Sequence, residues 1–538
     1  MCDQLRHDAL SCAGGLVDTP NLDALARRGV RFDRAFAQGS VCGSSRMSAY
    51  TGRYVQSHGS RYNSVPLSIA EPTIGDHLRP LDVRSVLIGK THMARDRSGL
   101  DRLRLDPHDP WTTIINQCGF EPIEREDGLV PNTAPALFER GYNKFLLDQG
   151  YDGPNPWHTV ANSVLTPEGD RMSGWLLEAS QYPAIVPDEL SETAYMTNRA
   201  IDFIRDAGDE RWCIHLSYIK PHWPYVVSEP YHRLVHRNDL PSPNRSNAEL
   251  ETDHPVIAAF QRSRIGSTFS RDEVRTTVYP AYLGLVKQLD DHLGRLFRAL
   301  DDLGRRDDTM IVLTSDHGDY MGDHWMGEKD LFHDPSVKIP MIIYDPRSDC
   351  DATRGTTCDA LVESIDLTAT FIEAAGGTVP DHIVEGRSLL PWLQGDTPAW
   401  RKYAISEYDY SVTPQAVKLG VEPRDARLFM VYDGRYKMMH AEGGFRPMLF
   451  DLKNDPEEFH DLAKGIDHQD QIDQLYKYLG EWGLRMSQRV TKSEDDIRAM
   501  RGRSMRRGIL PFLADGTEVD EELLEKYNGP VKQRFIET

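Results

Sequence analysis

Four short runs, RSVLIGK (84–90), WCIHLSYI (212–219), TMIVLTS (309–315) and VKIPMIIYD (337–345), are dominated by apolar and β-branched residues. A strand with one face in water alternates. A strand apolar on both faces must be covered on both, so these runs read as interior strands of a parallel sheet. Helical patterns lie around and between them at 19–32, 191–207, 277–304 and 365–376. Thr19 followed by Pro20 marks a helix start, Asp366–Thr370 fits a second entry, and Gly376–Gly377 reads as a stop. Strands alternating with long helices predict an α/β chain, with a mainly parallel sheet flanked by helices on both faces.

The rest of the chain follows a different grammar. Residues 95–185 are rich in Pro, Gly, Asp and Trp and lack periodicity, so they read as an insertion over one face that shapes a pocket. RLFMVYDGRYKMMHA (427–441) and PMLFDLKND (447–455) read as antiparallel strands with a tight Asp433–Gly434 turn, and a helix is expected over 468–487. The expected organisation is a catalytic domain at 1–400, a smaller C-terminal α+β domain at 401–490, and a tail at 491–538. That tail joins basic and acidic blocks through Ile509, Leu510, Phe512 and Leu513, which suits either packing back on its own subunit or, the reading preferred here, a contact across a symmetric dimer or tetramer.

Charge narrows the partners. Among 538 residues, 62 Lys and Arg against 83 Asp and Glu give −21, unsuited to nucleic acid or anionic membrane. No apolar run is long enough to span a bilayer, and no signal peptide is read. Seven scattered cysteines form no CxxC pair, so a disulfide framework or zinc ribbon is not indicated and a reducing cytoplasm is expected.

In an open parallel sheet the chemistry gathers at the carboxyl ends of the strands. Here those ends carry Lys90-Thr91-His92, Lys220-Pro221-His222 and Asp316-His317-Gly318-Asp319, followed by Lys329 and His333; Asp3-Gln4 stand where a first strand would end. Singly, each has an ordinary explanation: Asp3 a helix cap, Lys220 a solvated face, His222 packing beside Trp223. Together they form a coherent set. Asp3 and Asp316, with Gln4 and His317, suit one hard divalent cation. Arg46, Lys90, His92, His222 and Lys329 offer donors to a tetrahedral oxyanion. Cys42 lies among polar and glycine residues, between Gly39 and Gly43 and four before Arg46. A metal, several cations and a nucleophile suit sulfuryl or phosphoryl transfer.

The stretches DQLRHDAL, TPNLDALARRGVRFDRAFAQGSVCGSSRMSAYTGRY, GKTHM, KPHWPY, TSDHGDYMGDHWMGEKDLFHDPSVKIPMI and LFDLKNDPEEFHDLA resemble those of type I sulfatases of the alkaline phosphatase superfamily. Within that group the chain is most similar to phosphonate monoester hydrolases and related arylsulfatases. The resemblance implies the alkaline-phosphatase-like fold and a maturase that oxidises Cys42 to formylglycine, the nucleophile as its hydrate. It also implies one divalent ion (Ca, Mn or Mg) held by Asp3, Gln4, Asp316, His317 and residue 42. Arg46 would hold the diol. Lys90, His92, His222 and Lys329, with Thr91 beside them, would serve the substrate anion and leaving group.

The sequence departs from the family pattern at three places. Ser44 stands where the maturation motif carries proline. Gln4 and His317 replace the Asp and Asn common in arylsulfatases, which leans toward the phosphonate branch. Only Met1 and Cys2 precede Asp3, where the family pattern leads one to expect an apolar strand. The expected activity is hydrolysis of sulfate monoesters of arylsulfatase type, with promiscuity toward phosphonate monoesters and phosphodiesters. The alternatives are the reverse order of preference and, from a different class, an inactive binding member of the fold.

Overall fold

The structure, a computed structural model, describes residues 1–128, 141–487 and 491–501. Residues 1–379 and 384–485 form one compact unit; residues 380–383 group with the segment from 486 onward as a second. The described part of that segment includes a short helix, Glu494–Met500, opened by a capping box between Ser493 and Asp496. Ile509, Leu510, Phe512 and Leu513, on which the expected tail contact rests, lie outside the described residues.

The central strands are β1 (Cys2–Asp3), β2 (Val30–Phe32), β3 (Arg84–Gly89), β4 (Glu121–Arg125), β5 (Trp212–Pro221), β6 (Ile311–Thr314), β7 (Met341–Tyr344) and β8 (Thr356–Cys358). They form two half-sheets. The first, in the order β1-β5-β3-β4, is parallel throughout, with Ser85 opposite Cys213 and Gly89 opposite Ser217. The second, β8-β2-β7-β6, is mixed: β7 runs antiparallel to both neighbours. The physical reason is the connection. Residues 315–340 return from β6 to β7 without the long crossover helix that a parallel pair needs. The halves meet at β1, where Cys2 also bridges Ser315. Below that two-residue stub, a cleft of about 550 Å³ separates β5 from β6, with Trp212, Ile214 and Leu216 among the residues on one side and Ile311 and Leu313 on the other.

Helices cover both faces. On one lie α1 (Pro20–Arg28), α3 (Glu192–Ala207) and α4 (Asp272–Asp302), which bury Leu22, Leu25, Ala200, Ile204, Leu285 and Leu289 in the largest core cluster. On the other lie α2 (Cys42–Thr51) and α5 (Asp366–Ala374); Met47 and Tyr50 of α2 pack with Leu87 and Phe120. The helix expected over 19–32 stops at Arg28. Gly29 runs against the Ile343 carbonyl, where a Cβ would collide, and Val30 and Phe32 continue as a strand with both side chains buried. Within the segment expected to be an irregular insertion, Glu121–Arg125 joins the sheet as β4. It is an outer strand, half-buried and charged, and so lacks the apolar run that marks the interior ones.

Beyond residue 400, β9 (Ala404–Asp409), β10 (Arg427–Tyr432), β11 (Tyr436–Ala441) and β12 (Met448–Asp451) make an antiparallel sheet in chain order. Gly434 takes φ 96° in the turn between β10 and β11, as expected of the Asp-Gly pair. Helix α6 (Gln469–Gly483) lays Ile472, Leu475 and Trp482 against Phe429, Val431 and Met438.

Candidate active site

Helix α2 is buried along its whole length. It is built for that: Gly43, Ser44, Ser45, Ser48 and Ala49 let neighbouring chain approach closely, and the hydroxyls of Ser44, Ser45 and Ser48 all find partners. Cys42 is its first residue, so the positive end of the helix dipole lies at the sulfur. Sγ lies 3.1 Å from His317 Nε2, 3.1 Å from Lys329 Nζ and 3.8 Å from Asp3 Oδ1. Burial pushes the thiol up, but Lys329, then Lys90 and His317, outweigh it and hold Cys42 well below the usual thiol range.

Arg46, one turn on, is fully buried and ties the carboxylates together. Its Nε donates to Asp316 Oδ2 at 2.8 Å, its Nη2 meets Asp3 Oδ2 at 3.3 Å, and its Nη1 donates to the Lys90 carbonyl and Ser217 Oγ. Lys90 Nζ pairs with Asp3 Oδ2. Gly89, just before it, takes φ 109° against the Ser217 carbonyl, a close approach that only glycine permits. Burial and Cys42 push the Asp3 carboxyl up; the Lys90 and Arg46 cations prevail and hold it below the usual carboxylate range.

Asp316 and His317 follow β6. Asp316 Oδ1 accepts from the amides of Gln4 and His317. His317 donates Nδ1–H to the Gly318 carbonyl at 2.9 Å, so Nε2 is the nitrogen that faces the cluster. Gly318 passes so close to the Pro335 carbonyl that a side chain there would displace the turn. One candidate ligand atom each from Asp3, Cys42, Asp316 and His317 lies within 4.8 Å of the others.

Lys329 is the hub on the open side of this cluster. Its Nζ donates to Cys42 Sγ, to Gln4 Oε1 at 3.1 Å and to His222 Nε2 at 3.0 Å. His222 donates Nδ1–H to the Trp223 carbonyl, and burial with the Lys329 charge lowers it to about 4. It is therefore a neutral imidazole near neutral pH.

The strand ends thus bring Asp3, Gln4, Cys42, Arg46, Lys90, His222, Asp316, His317 and Lys329 together. Thr91 and His92 stand apart in their bonding: both amides donate to Asp127 Oδ1 at 3.0 Å, and Thr91 Oγ1 meets Gln117. Lys220 is buried rather than solvated, bonded to Asn162 Oδ1 and the Pro224 carbonyl, and burial lowers it to about 8. His333 stacks on His324 at 4.1 Å and bonds Tyr320, outside the cluster. Asp319, Tyr225 and Ser217 join the site although no expectation assigned them a role. The first two lie inside motifs already noted, SDHGD and KPHWPY; nothing in the sequence marks Ser217.

Set against known proteins, residues 1–377 match the sulfatase family model, and residues 322–483 match the model described as the N-sulphoglucosamine sulphohydrolase C-terminal region. The chain is 32% identical over 466 residues to the multifunctional alkaline phosphatase superfamily protein PehA of Trinickia caryophylli, covering 83% of this chain and 85% of that one. It is 26% identical over 503 residues to an arylsulfatase of Clostridium perfringens, covering 89% and 92%. Among solved structures, the phosphonate monoester hydrolase of Silicibacter pomeroyi superposes with TM-score 0.78 at 29% identity, covering 89% of this chain and 93% of that one. That of Agrobacterium radiobacter superposes with TM-score 0.76 at 27% identity, covering 89% and 94%.

Proposed function

The chain belongs to the sulfatase family of the alkaline phosphatase superfamily and is a hydrolase of sulfate or phosphonate esters, and on that premise we propose that it cleaves sulfate monoesters of arylsulfatase type with overlap into phosphonate monoesters and phosphodiesters. One observation carries the reading: Lys329 reaches the position-42 sulfur, Gln4 and His222 at once, beside Lys90. These cations suit a monoanionic tetrahedral group. All three ester classes present one negative charge and similar oxygen geometry, so one set of donors serves them.

The donor set of Asp3, Gln4, Asp316 and His317 fits one hard divalent ion, calcium, manganese or magnesium. Cys42 is the soft member among hard ligands, a misfit that an oxygen at position 42 would remove. When bound, the ion would supply Lewis acidity, and formylglycine at 42 would supply a hydroxyl nucleophile. The remaining chemistry belongs to the chain. Arg46 fixes the two carboxylates and the backbone of Lys90. Lys90 and Lys329 bind the anion. Lys329 would donate an N–H to the leaving-group oxygen, and His222, neutral and accepting another of its N–H groups, holds that ammonium in place. His92 and Thr91 would serve the leaving group, with Asp127 setting their backbone. A formylglycine-generating or equivalent maturase would act on Cys42 before the chain folds, since the whole of α2 is buried in the folded protein. We extend the proposal to organisation: a catalytic domain over 1–400, a C-terminal subdomain over 401–490, and a tail over 491–538 that joins two or four copies.

A second reading, with phosphonate monoesters and phosphodiesters preferred, is favoured by Gln4 and His317 and by the likeness to the two phosphonate hydrolases. The test is a rate comparison of an aryl sulfate, an aryl phosphonate and a bis-aryl phosphodiester on metal-loaded protein. Intact mass would report conversion at Cys42 as a loss of about 18 Da. A fully converted, metal-loaded protein that turns over none of the three would sink both readings in favour of a binding role.

A further inference from the structure

Gln4 is the one amide side chain in the proposed ligand set, and its two ends differ only in hydrogen-bonding capacity. Its backbone is fixed. It takes φ 64°, its amide donates to Asp316 Oδ1 at 3.0 Å, and its carbonyl accepts from Tyr282 at 2.9 Å. What remains free is a half-turn of the terminal amide.

Three buried neighbours decide that half-turn. Lys329, a donor only, lies 3.1 Å from Oε1. On the other side Nε2 donates to Asp319 Oδ2 and, at 3.0 Å, to the Tyr225 hydroxyl. Tyr225 in turn donates its own proton to the same Asp319 oxygen at 2.7 Å, which leaves its lone pair for Gln4. Asp319 Oδ1 accepts from the Met321 amide at 2.9 Å. Asp319 and Gln4 are both wholly buried, and among the described residues Asp319 makes no ion pair; the nearby Arg6 guanidinium goes to its backbone carbonyl instead. A buried carboxylate without a counter-ion is costly unless hydrogen bonds satisfy it. Here the donors that satisfy it are the Met321 amide, the Tyr225 hydroxyl and the Gln4 side-chain amide itself. Turning the amide over would set NH₂ against the Lys329 ammonium and oxygen against the carboxylate, a repulsive contact at each end.

We infer that Asp319, backed by Tyr225, is a positioning residue that keeps the oxygen end of Gln4 facing the proposed metal cluster. The assignment rests on the metal reading above. It makes SDHGD a motif with two duties: Asp316 and His317 as ligands, and Asp319 as the orienter of a ligand more than 300 residues away in sequence.

The test is calorimetric titration of the unmodified protein with Mn²⁺ and with Ca²⁺, activity apart. Asp319→Asn keeps the shape but adds a donor, so the orientation of the Gln4 amide rests on Lys329 alone; affinity should fall about 10- to 100-fold, as for other outer partners of metal ligands. Tyr225→Phe should fall less, since Asp319 remains. The decisive variant is the exchanged pair Gln4→Glu with Asp319→Asn. There the new side-chain amide at position 319 donates to one oxygen of the new carboxylate at position 4, and the other oxygen faces the cluster at unchanged net charge. It should recover parental affinity, which a merely structural role for Asp319 would not produce. Parental affinity in Asp319→Asn, or failure of the exchanged pair to recover while melting like the parent, overturns the assignment and leaves the metal reading standing. A parent that binds neither ion overturns both.

Discussion

Replacing Lys329 by alanine removes a cation that touches Cys42, Gln4 and His222 together. The 3.1 Å from Nζ to Sγ stands in for the distance from Nζ to a substrate oxygen at the reacting centre. At that distance and an effective dielectric of about 20, a unit charge pair is worth about 5 kcal/mol. Water entering the vacated space recovers part of this, so about 2–4 kcal/mol of transition-state stabilisation should be lost, a fall in kcat/KM of roughly 30- to 1000-fold. The loss should not be uniform. Lys329 is also the proposed N–H donor to the departing oxygen, held in place by neutral His222, so esters of poorly acidic alcohols should suffer more than nitrophenyl esters. The assay is kcat/KM across a series of aryl esters of graded leaving-group pKa, plotted for parent and variant. A steeper slope in the variant supports the role. Parallel lines would mean that Lys329 holds the site together without serving the leaving group, and the reasoning would fail.

Three other outcomes follow from the same geometry. Asp316→Asn keeps the hydrogen bond to Gln4 geometrically possible but removes a charged ligand, so bound metal by elemental analysis and turnover should drop together by orders of magnitude; survival of both would remove Asp316 from the ligand set. Burial lifts Glu407 from its ordinary 4.5 to about 8. An acid with a raised folded pKa ionises more readily in the unfolded chain, so the parent should lose stability, on the order of a few kcal/mol, as pH climbs from 4.5 to 8. Glu407→Gln should flatten that slope in melting scans, and a pH-independent difference between the two proteins would refute the burial argument. Truncation after residue 490 should reduce the particle mass seen by light scattering to that of a monomer; an unchanged assembly, or a full-length monomer, would reject the tail as the joint.

The site was more legible than the sheet that carries it. Asp316-His317, Lys90, His222 and Lys329 sit at or just past apolar runs, and a run buried on both faces announces itself in composition. β1 offers two residues, β4 is a half-buried outer strand written EPIER, and β2 hides in the tail of a helical pattern. None of these bears a periodic signal. Thr91 and His92 show the limit in the site itself: adjacency to Lys90 is a fact of sequence, whereas their bonding to Asp127 depends on a chain segment 35 residues away. Asp319 and Tyr225 were visible as letters within motifs, but their task arises only when Gln4 is placed between them.

The cleft beneath β1 gives the proposed metal a mechanical meaning. Asp3 hangs from one half-sheet, while Asp316 and His317 leave the other. An ion shared by these residues is a rivet across a seam, and whatever binds the closed seam alone raises the work of opening it. At an ion concentration about 100 times the dissociation constant, that work rises by about 2.7 kcal/mol. Backbone amides along the seam, in 212–216 and 311–314, should therefore exchange with deuterium more slowly once the ion is added, while those in the antiparallel sheet at 404–451 keep their rates. Demetallation, on this view, loosens a joint in the frame as well as emptying a site.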